Sequence, residues 1–600
     1  TVKREASATR SDAPRSDAPP LFEDVSALVQ HIHHDDPFDD FERQPLLPKL
    51  LSRLGPGITW FDVDGDGWDD LIIGSVRGGE MTVYRNDRGR GFQRLQDPSL
   101  AQAVTRDQTT VLGWIKEDGQ RLLLAGASNY EDGLTNGTSL RIVDLKNGSV
   151  MDGWHGQFAS VGALALADVD GDGDLDLFAG GRVLPGRYPE PAPSRLYRNE
   201  GGRFRLDHEN SKLLANAGLV SGAVFSDLDG DGNADLVLAC EWGPIRVFYN
   251  HAGMFTEVTG SLGLGSSPGW WNGVTVGDFD GDGKLDIVAS NWGRNTKYQN
   301  YLERSLRVYY GDFNGSGTID LVEAYYDRGL NKIVPWRDLE TMVKAMPFVG
   351  EKFSTFRAYG EASVQEILGE RLRLANELRA ATLDSMVFLN RGERFEARPL
   401  PVEAQFAPSF GVVAGDYDGD GNEDLFLSQN FFGAETETSR YDGGRSLWIR
   451  GDGGGGFSAV SGQESGIAVY GEGRGCALCD FDGDGRVDLA VAQNSAATKL
   501  YRNQAGRVGL RVRLESPVGN PQGIGAVLRL KCGERFGPAR ETHAGSGYWS
   551  QDSAVQVMAT PEPPTQIWVR WPGGKTVTAD IPAGAREISL RFDGQVNLLR

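Results

Sequence analysis

Residues 61 to 71 read FDVDGDGWDDL, which places Asp62, Asp64, Asp66 and Asp70 within nine residues and wedges glycines between them. Four carboxylates held that close repel one another, and the repulsion has to be offset by positive charge. The cluster recurs six more times along the chain. Four copies keep every carboxylate in the first part of that series and beyond: DVDGDGDLDL (Asp168, Asp170, Asp172, Asp176), DLDGDGNADL (Asp227, Asp229, Asp231, Asp235), DFDGDGKLDI (Asp278, Asp280, Asp282, Asp286) and DYDGDGNEDL (Asp416, Asp418, Asp420, Asp424). A fifth such copy is DFDGDGRVDL (Asp480, Asp482, Asp484, Asp488), whereas DFNGSGTIDL carries Asp312, Asn314, Ser316 and Asp320. Each copy puts oxygen side chains at loop positions 1, 3, 5 and 9 and glycine at position 6, where a sharp turn needs it. Hard oxygen ligands at this spacing suit Ca2+, with position 7 lending a backbone carbonyl. An EF-hand would add a bidentate Glu at position 12 between helices, but here apolar strands flank the loop, as in GVTVGDFDGDGKLDIVAS. A single DxDxDG is often only a polar turn. Seven in one register predict up to seven calcium ions, with the Asp312 loop the weakest because Asn314 and Ser316 replace carboxylates.

Composition fits this reading. The chain has 600 residues, 40% hydrophobic and 10% aromatic, enough for a folded core larger than one ordinary domain. Its 80 glycines suit the many tight turns of an all-β fold. A formal charge of −22 argues against nucleic acid or an anionic membrane as partner, and seven divalent cations would offset +14 of it. The acidity is then largely ligand rather than docking signal. There is no apolar run of 18 or more, so no transmembrane segment is expected. The chain opens on Thr1 without a Met or a signal peptide, which is compatible with a targeting segment already removed. Four cysteines (Cys240, Cys476, Cys479, Cys532) make no disulfide framework at this length. The CxxC at Cys476 and Cys479 falls on an expected strand, where i and i+3 point to opposite faces, and reads as buried, inert thiols.

With hairpins such as LYRNEGGRF (196–204) and MFTEVTGSLGL (254–264), the loops resemble the FG-GAP/VCBS repeats of integrin-type β-propellers. The stretch GLRVRLESPVGNPQGIGAVLRL, with HAGSGYWSQ and IWVRWPGGK after it, resembles the ASPIC/UnbV domain of the cartilage acidic protein family, departing from it at VQVMATPEPP (555–564). The resemblance implies an all-β fold, a calcium-binding propeller followed by a small β-sandwich, and fixes no ligand. A front half of strand, loop and strand appears eight times when the degenerate TTVLGWIKEDGQRLLLAG (109–126) is included, and the back hairpin seven times. Asp278 and Asp312 lie only 34 residues apart, so we expect seven blades with one composite, eight being the alternative. The last blade, ending at KLYRNQAG (499–506), lacks its outer strand, and PLFEDVSALV (20–29) parallels GMFTEVTGSL (253–262) closely enough to supply it.

The expected organisation is a flexible tether over 1–20, a propeller over 21–506 with a helical insert at 330–384, and an antiparallel β-sandwich over 507–600. The insert is expected from the three- and four-residue spacing of apolar residues in ASVQEILGERLRLANELRAATLD. Loops opposite the calcium sites gather Glu241, Trp242, Trp270, Trp271, Asn272, Asn291, Trp292, Gln429, Asn430, Phe431, Phe432, Gln493 and Asn494. Rings and amides together suit a glycan or an extended peptide, against the alternative that they pack between blades. Tyr548 and Trp549 are expected either to bind a partner or to cap the propeller. The HIHHDD run (His31 to Asp36) reads as a solvated polar stretch, with a transition-metal site as the alternative. No GxSxG, HExxH or phosphate-binding glycine loop is present. The functional expectation is therefore a non-enzymatic, calcium-stabilised binding or adhesion protein of the extracellular space, cell surface or periplasm, recognising a glycan or protein. A polysaccharide-degrading lyase or hydrolase on the same fold is the alternative, since the many loop carboxylates would hide an acid–base pair.

Overall fold

A computed structural model describes residues 19–155 and 157–600, so the expected tether lies almost wholly outside the described residues. Seven sheets share one plan of four antiparallel strands. Their first strands, Ile58–Phe61, Gln108–Ile115, Ser160–Ala167, Leu219–Ser226, Val274–Gly277, Ser409–Gly415 and Glu472–Cys479, contact one another in that order, and the last meets the first. Sheets set radially around a closed ring of inner strands make a β-propeller, which leaves only short, protected edges. The inner strands are mostly apolar or small residues and almost wholly buried, as in SVGALALA at Ser160–Ala167. Aromatic and aliphatic side chains fill the spaces between adjacent sheets, for example Val237, Trp271, Ile287 and Phe388 between two of them.

Each acidic loop is the hairpin from first to second strand, with the position-9 Asp opposite the residue that precedes the loop: Phe61↔Asp70, Ala167↔Asp176, Ser226↔Asp235. All loops carried by the ring therefore sit at one end of it. The last sheet is completed by Phe22–Asp24, which pairs with Lys499–Asn503 and puts Phe22 opposite Asn503.

The composite sheet joins Val274–Gly277 and Asp286–Ala289 to Met386–Asn390 and Phe395–Pro399. The chain between them forms a separate sheet of Leu306–Gly311, Asp320–Asp327, Lys332–Pro335 and Asn376–Ala380, which holds the Asp312 loop. This insertion leaves from the end opposite the other acidic loops. It is only partly helical: Leu339–Ala345, Phe348–Lys352, Phe356–Gly360 and Val364–Leu368 are short helices. NELRA, expected to continue a helix, is a strand paired to Leu306–Gly311, because the partner strand satisfies its backbone groups along the whole length.

The C-terminal residues form two sheets around Val512, Leu528, Ile567, Trp571 and Ile588. The arrangement is not wholly antiparallel as expected, since Leu510–Glu515 runs parallel to Glu587–Arg591. From these sheets residues 544–551 thread into the ring: Ala544 bridges Leu166 near its loop end, Gly547 bridges Ala223 midway, and Ser550–Gln551 returns parallel to Ile58–Thr59. At the tip, Tyr548 and Trp549 stack at 5.1 Å, and the Tyr548 hydroxyl donates to the Leu54 carbonyl. Gly547 has φ +89°, and a Cβ there would lie 1.8 Å from the Val274 carbonyl oxygen, so only glycine fits the crowded axis. The tip side chains are 1% and 3% exposed, so of the two expected roles they fit the one internal to the propeller, as a plug in its axis, and not a partner contact.

Candidate metal centres and the opposite end

The loop geometry follows from sequence one bond at a time. Asp62 at position 1 accepts from the backbone N–H groups of Gly65 and Gly67, and Asp70 at position 9 accepts from Val63 N and Asn86 N. Gly65 and Gly67 have φ of +82° and +89°, so the left-handed region is needed at position 4 as well as at position 6. Carboxylate oxygens of Asp62, Asp64 and Asp66 approach within 4.8 Å of one another, as do those of Asp168, Asp170 and Asp172. The sets Asp227, Asp229, Asp235 and Asp278, Asp280, Asp282 and Asp416, Asp418, Asp424 do the same within 4.8 Å. These Asp clusters are able to hold a metal ion.

The electrostatics agree. Burial pushes Asp70, Asp176 and Asp286 up to about 7 and Asp235 to about 8, and neighbouring loop carboxylates add to the effect. Asp424 and Asp488 are raised as well, again chiefly by burial. Asp278 Oδ1 and Asp418 Oδ1 are buried with no hydrogen-bond partner. Oxygen-only donors with unpartnered buried atoms fit a hard divalent cation, for which the loop aspartates would supply the ligands. The Asp312 loop differs: Asn314 turns its amide N–H toward Asp320 Oδ1 at 3.3 Å, and Ser316 Oγ is spent on Thr318 Oγ1 at 2.6 Å.

Two sets of residues outside the motif support the loops. A recurrent Asn near the end of the third strand links sheet to sheet. Asn250 N donates to Asp235 Oδ1 at 2.8 Å and its Nδ2 to the Val169 carbonyl at 2.8 Å, while Asn86 reaches Phe481 O and Asn503 reaches Tyr417 O in the same way. Its repetition in LYRNEGG, VFYNHAG, VFLNRGE and KLYRNQAG is visible in the sequence, but its role as a staple to the position-9 Asp is not. The C-terminal sheets lie on the loop end and reach the loops with arginines: Arg570 is 2.6 Å from Asp227 Oδ2, Arg511 pairs with Asp480, and Arg540 is 2.5 Å from Glu423.

The opposite end corrects the expected ligand face. Trp270, Trp271, Trp292, Asn291 and Asn430 are at most 1% exposed, and Glu241, Trp242, Asn272, Gln429, Phe431, Gln493 and Asn494 are buried as well; only Phe432 is partly open. Trp270 packs edge-on against Trp242 at 4.8 Å, Trp292 at 5.1 Å and Tyr298 at 5.2 Å. The amides are spent on backbone, Asn272 on Ser409 O and Asn430 on Gly444 O. The cover is the segment before the first blade, where Leu50 N bonds Gly433 O and Lys49 Nζ sits 4.9 Å over the Trp292 ring. Glu241 is locked beneath it by Lys49 at 3.0 Å, Arg182 at 2.5 Å and the Tyr188 hydroxyl at 2.6 Å. Burial alone would raise Glu241, but Lys49 and Arg182 outweigh it and hold the carboxyl at about 2. These residues are a core, as their alternative reading had it, and not a ligand surface.

An open groove of about 400 Å³ does exist at this end, on the inserted sheet, lined by Asn300, Tyr301, Arg304, Tyr326 and Arg328. The guanidinium of Arg304 stacks 3.8 Å from the Tyr326 ring. The HIHHDD run is not simply solvated, because His33 is 4% exposed. The cysteines are free, and Cys240, Cys476 and Cys479 are buried with thiols pushed up by burial, as inert thiols should be. No helix among the described residues is long and apolar enough to cross a membrane.

A family model described as "FG-GAP-like repeat" matches residues 168–238 and 227–289, a span that contains three of the acidic loops. Cartilage acidic protein 1 from Mus musculus is 25% identical over 283 residues, 42% of this chain and 42% of that protein, so the matched region spans well under half the mouse protein's length. The Xenopus tropicalis protein of the same name is 21% identical over 564 residues, covering 89% of this chain and 72% of its own. Among solved structures, rhamnogalacturonan lyase YesW aligns over 77% of this chain and 87% of its own at 12% identity and a TM-score of 0.24. The six-bladed β-propeller Aleuria aurantia lectin aligns over 70% and 97% at 10% identity and a TM-score of 0.31. The acidic hairpins and the ring of radial sheets make the chain a β-propeller protein, with FG-GAP-like repeats matched over 168–289 and a similarity to cartilage acidic protein 1.

Proposed function

We propose that the protein is a calcium-stabilised binding or adhesion protein of the extracellular space, cell surface or periplasm. In this reading a seven-bladed propeller over 21–506 and an ASPIC/UnbV-like β-sandwich over 507–600 present a surface to a glycan or a protein ligand. The observation that carries it is the recurrence of oxygen-only loops whose carboxylates crowd within 4.8 Å of one another, with the position-9 Asp buried beneath them. Loops of this chemistry in extracellular modules bind calcium at ~10⁻⁴–10⁻³ M, a level that the submicromolar calcium of cytosol leaves empty. Calcium stiffens one end of the propeller, and the connections at the other are free to vary and carry recognition. With the tryptophans buried, the groove at Tyr326, Arg304 and Arg328 is the ligand surface we assign, since a half-buried ring capped by Arg304 and the exposed guanidinium groups suit sugar hydroxyls or an extended peptide.

A glycan and protein-ligand array in millimolar calcium tests this, repeated on Tyr326→Ala, Arg304→Ala and Arg328→Ala. Binding lost in these variants is the expected result, and binding unchanged in all three would remove the groove as the site. Depolymerisation of polysaccharide, measured alongside, would replace binding with turnover if oligosaccharides were released.

A further inference from the structure

The run His31 to Asp36 follows the strand that closes the ring, and extended backbone turns its side chains alternately inward and outward. His31, His33 and Asp35 face inward, while Ile32, His34 and Asp36 are exposed. His31 is accounted for by Thr498, whose Oγ1 lies 2.8 Å from its Nδ1. His33 is not. Its side chain is 4% exposed and its Nε2 has no hydrogen-bond partner, and Asp35 Oδ2 is likewise buried and unpartnered. The nearest contact, His33 Nε2 to Asp35 Oδ1, measures 3.6 Å. That is too long for a hydrogen bond, and close to the ~3.3 Å that separates two ligands around a tetrahedral ion with bonds of ~2.0–2.1 Å.

His33 and Asp35 line a cavity of about 20 Å³ together with Asp107, Gln108 and Thr109, at the end of the ring away from the acidic loops. Asp107 accepts one backbone N–H, from Arg77, and otherwise feels the charges of Glu131 and Asp35. Arg77 is half exposed and pairs with Glu131 at 3.4 Å, outside the cavity wall, while the buried Arg182 lines the cavity. Two carboxylates and an imidazole thus share a small space whose lining cation, Arg182, is committed to Glu241. We propose that His33 Nε2 and the carboxylates of Asp35 and Asp107 form a binding site for one divalent transition metal of the zinc class. The imidazole sets it apart from the oxygen-only loops, because nitrogen ligands suit Zn2+ and not Ca2+. The buried carboxylate repulsion is what the ion relieves, and the site stands independently of calcium in the loops.

The test uses the full chain, stripped with chelator and returned to millimolar calcium so that the acidic loops are filled. Zinc ion is then titrated calorimetrically, and the zinc-loaded protein is measured by X-ray absorption. The expected result is one equivalent of zinc with imidazole scattering, an affinity lowered about tenfold or more in His33→Ala and in Asp35→Asn, and no change in His34→Ala. Zinc bound by oxygen alone in the unsubstituted protein, or no zinc bound in calcium, would overturn the proposal. An affinity unchanged by His33→Ala would do so too. The absorption spectrum needs no variant, so a substitution that fails to fold does not rescue the idea.

Discussion

The two ends of the propeller bury carboxylates in opposite ways. At the loop end Asp70 and Asp235 lie among other acids, and burial lifts them to about 7 and about 8. At the far end Glu241 is just as buried, yet Lys49 and Arg182 hold it at about 2. One end has its counter-charge built into the chain, whereas at the other arginines reach only some of the loop carboxylates and a bound cation would compensate the rest. Buried charge is tolerated only when compensated, so under the proposed function the loop end depends on ions and the far end does not.

The largest effect that separates the ends is chelation. Several ions bound only to the native state, each worth about 2.7 kcal/mol at a hundredfold excess over Kd, should raise Tm by at least about 10 °C over the EGTA-treated protein. The pH dependence has a definite sign. Asp70 and Asp235 ionise less readily in the ion-free fold than in the unfolded chain, where the ordinary value is 3.8. The chelated protein therefore loses stability as pH rises from about 4 to about 8. Calcium needs the ionised form, so the gap in Tm between calcium and EGTA widens over the same range. A gap that narrows toward pH 8 breaks the comparison.

Next in size is Glu241→Ala, which strands Lys49 and Arg182 without their partner. A cost of about 3–5 kcal/mol in urea unfolding is expected, equal with and without calcium. A cost that vanishes in EGTA would mean the ends are not independent. Asn250→Ala should cost about 1–3 kcal/mol, because it orphans the buried Val169 carbonyl and frees the Gly253 N–H. Smallest is Asp312→Ala, expected to move Tm by less than about 1 °C in millimolar calcium, since its loop already uses Asn314 and Ser316 on itself.

The loop end was largely legible in the sequence and the far end was not, for a physical reason. Ligand spacing is local: the loop itself brings the carboxylates of Asp62, Asp64 and Asp66 together whatever surrounds them, so Asp62 to Asp70 could be read alone. The strand at Phe22–Asp24 was legible because it repeats a hairpin whose partner is missing elsewhere. Whether Trp270 and Trp292 face a ligand or a neighbour depends on a segment more than two hundred residues away, where Lys49 and Leu50 lie over them. The same holds for Tyr548 and Trp549, which look like a binding tip in GSGYW and are a plug because the ring's axis is there to receive them. NELRA has a helical spacing and became a strand because Leu306–Gly311 offered an edge. The recurrent Asn was visible as a letter, but its reach from one sheet to the next was not.

If the acidic loops hold calcium, as proposed, the ions bound per chain can be counted. Chelated protein is dialysed against rising calcium, and the ions retained per chain are measured by mass spectrometry of the metal. The account predicts that the six four-carboxylate loops fill first and the Asp312 loop last, with Asp235→Ala lowering the count by one. A chain that retains no calcium at millimolar concentration, or a count that Asp235→Ala leaves unchanged, would contradict it.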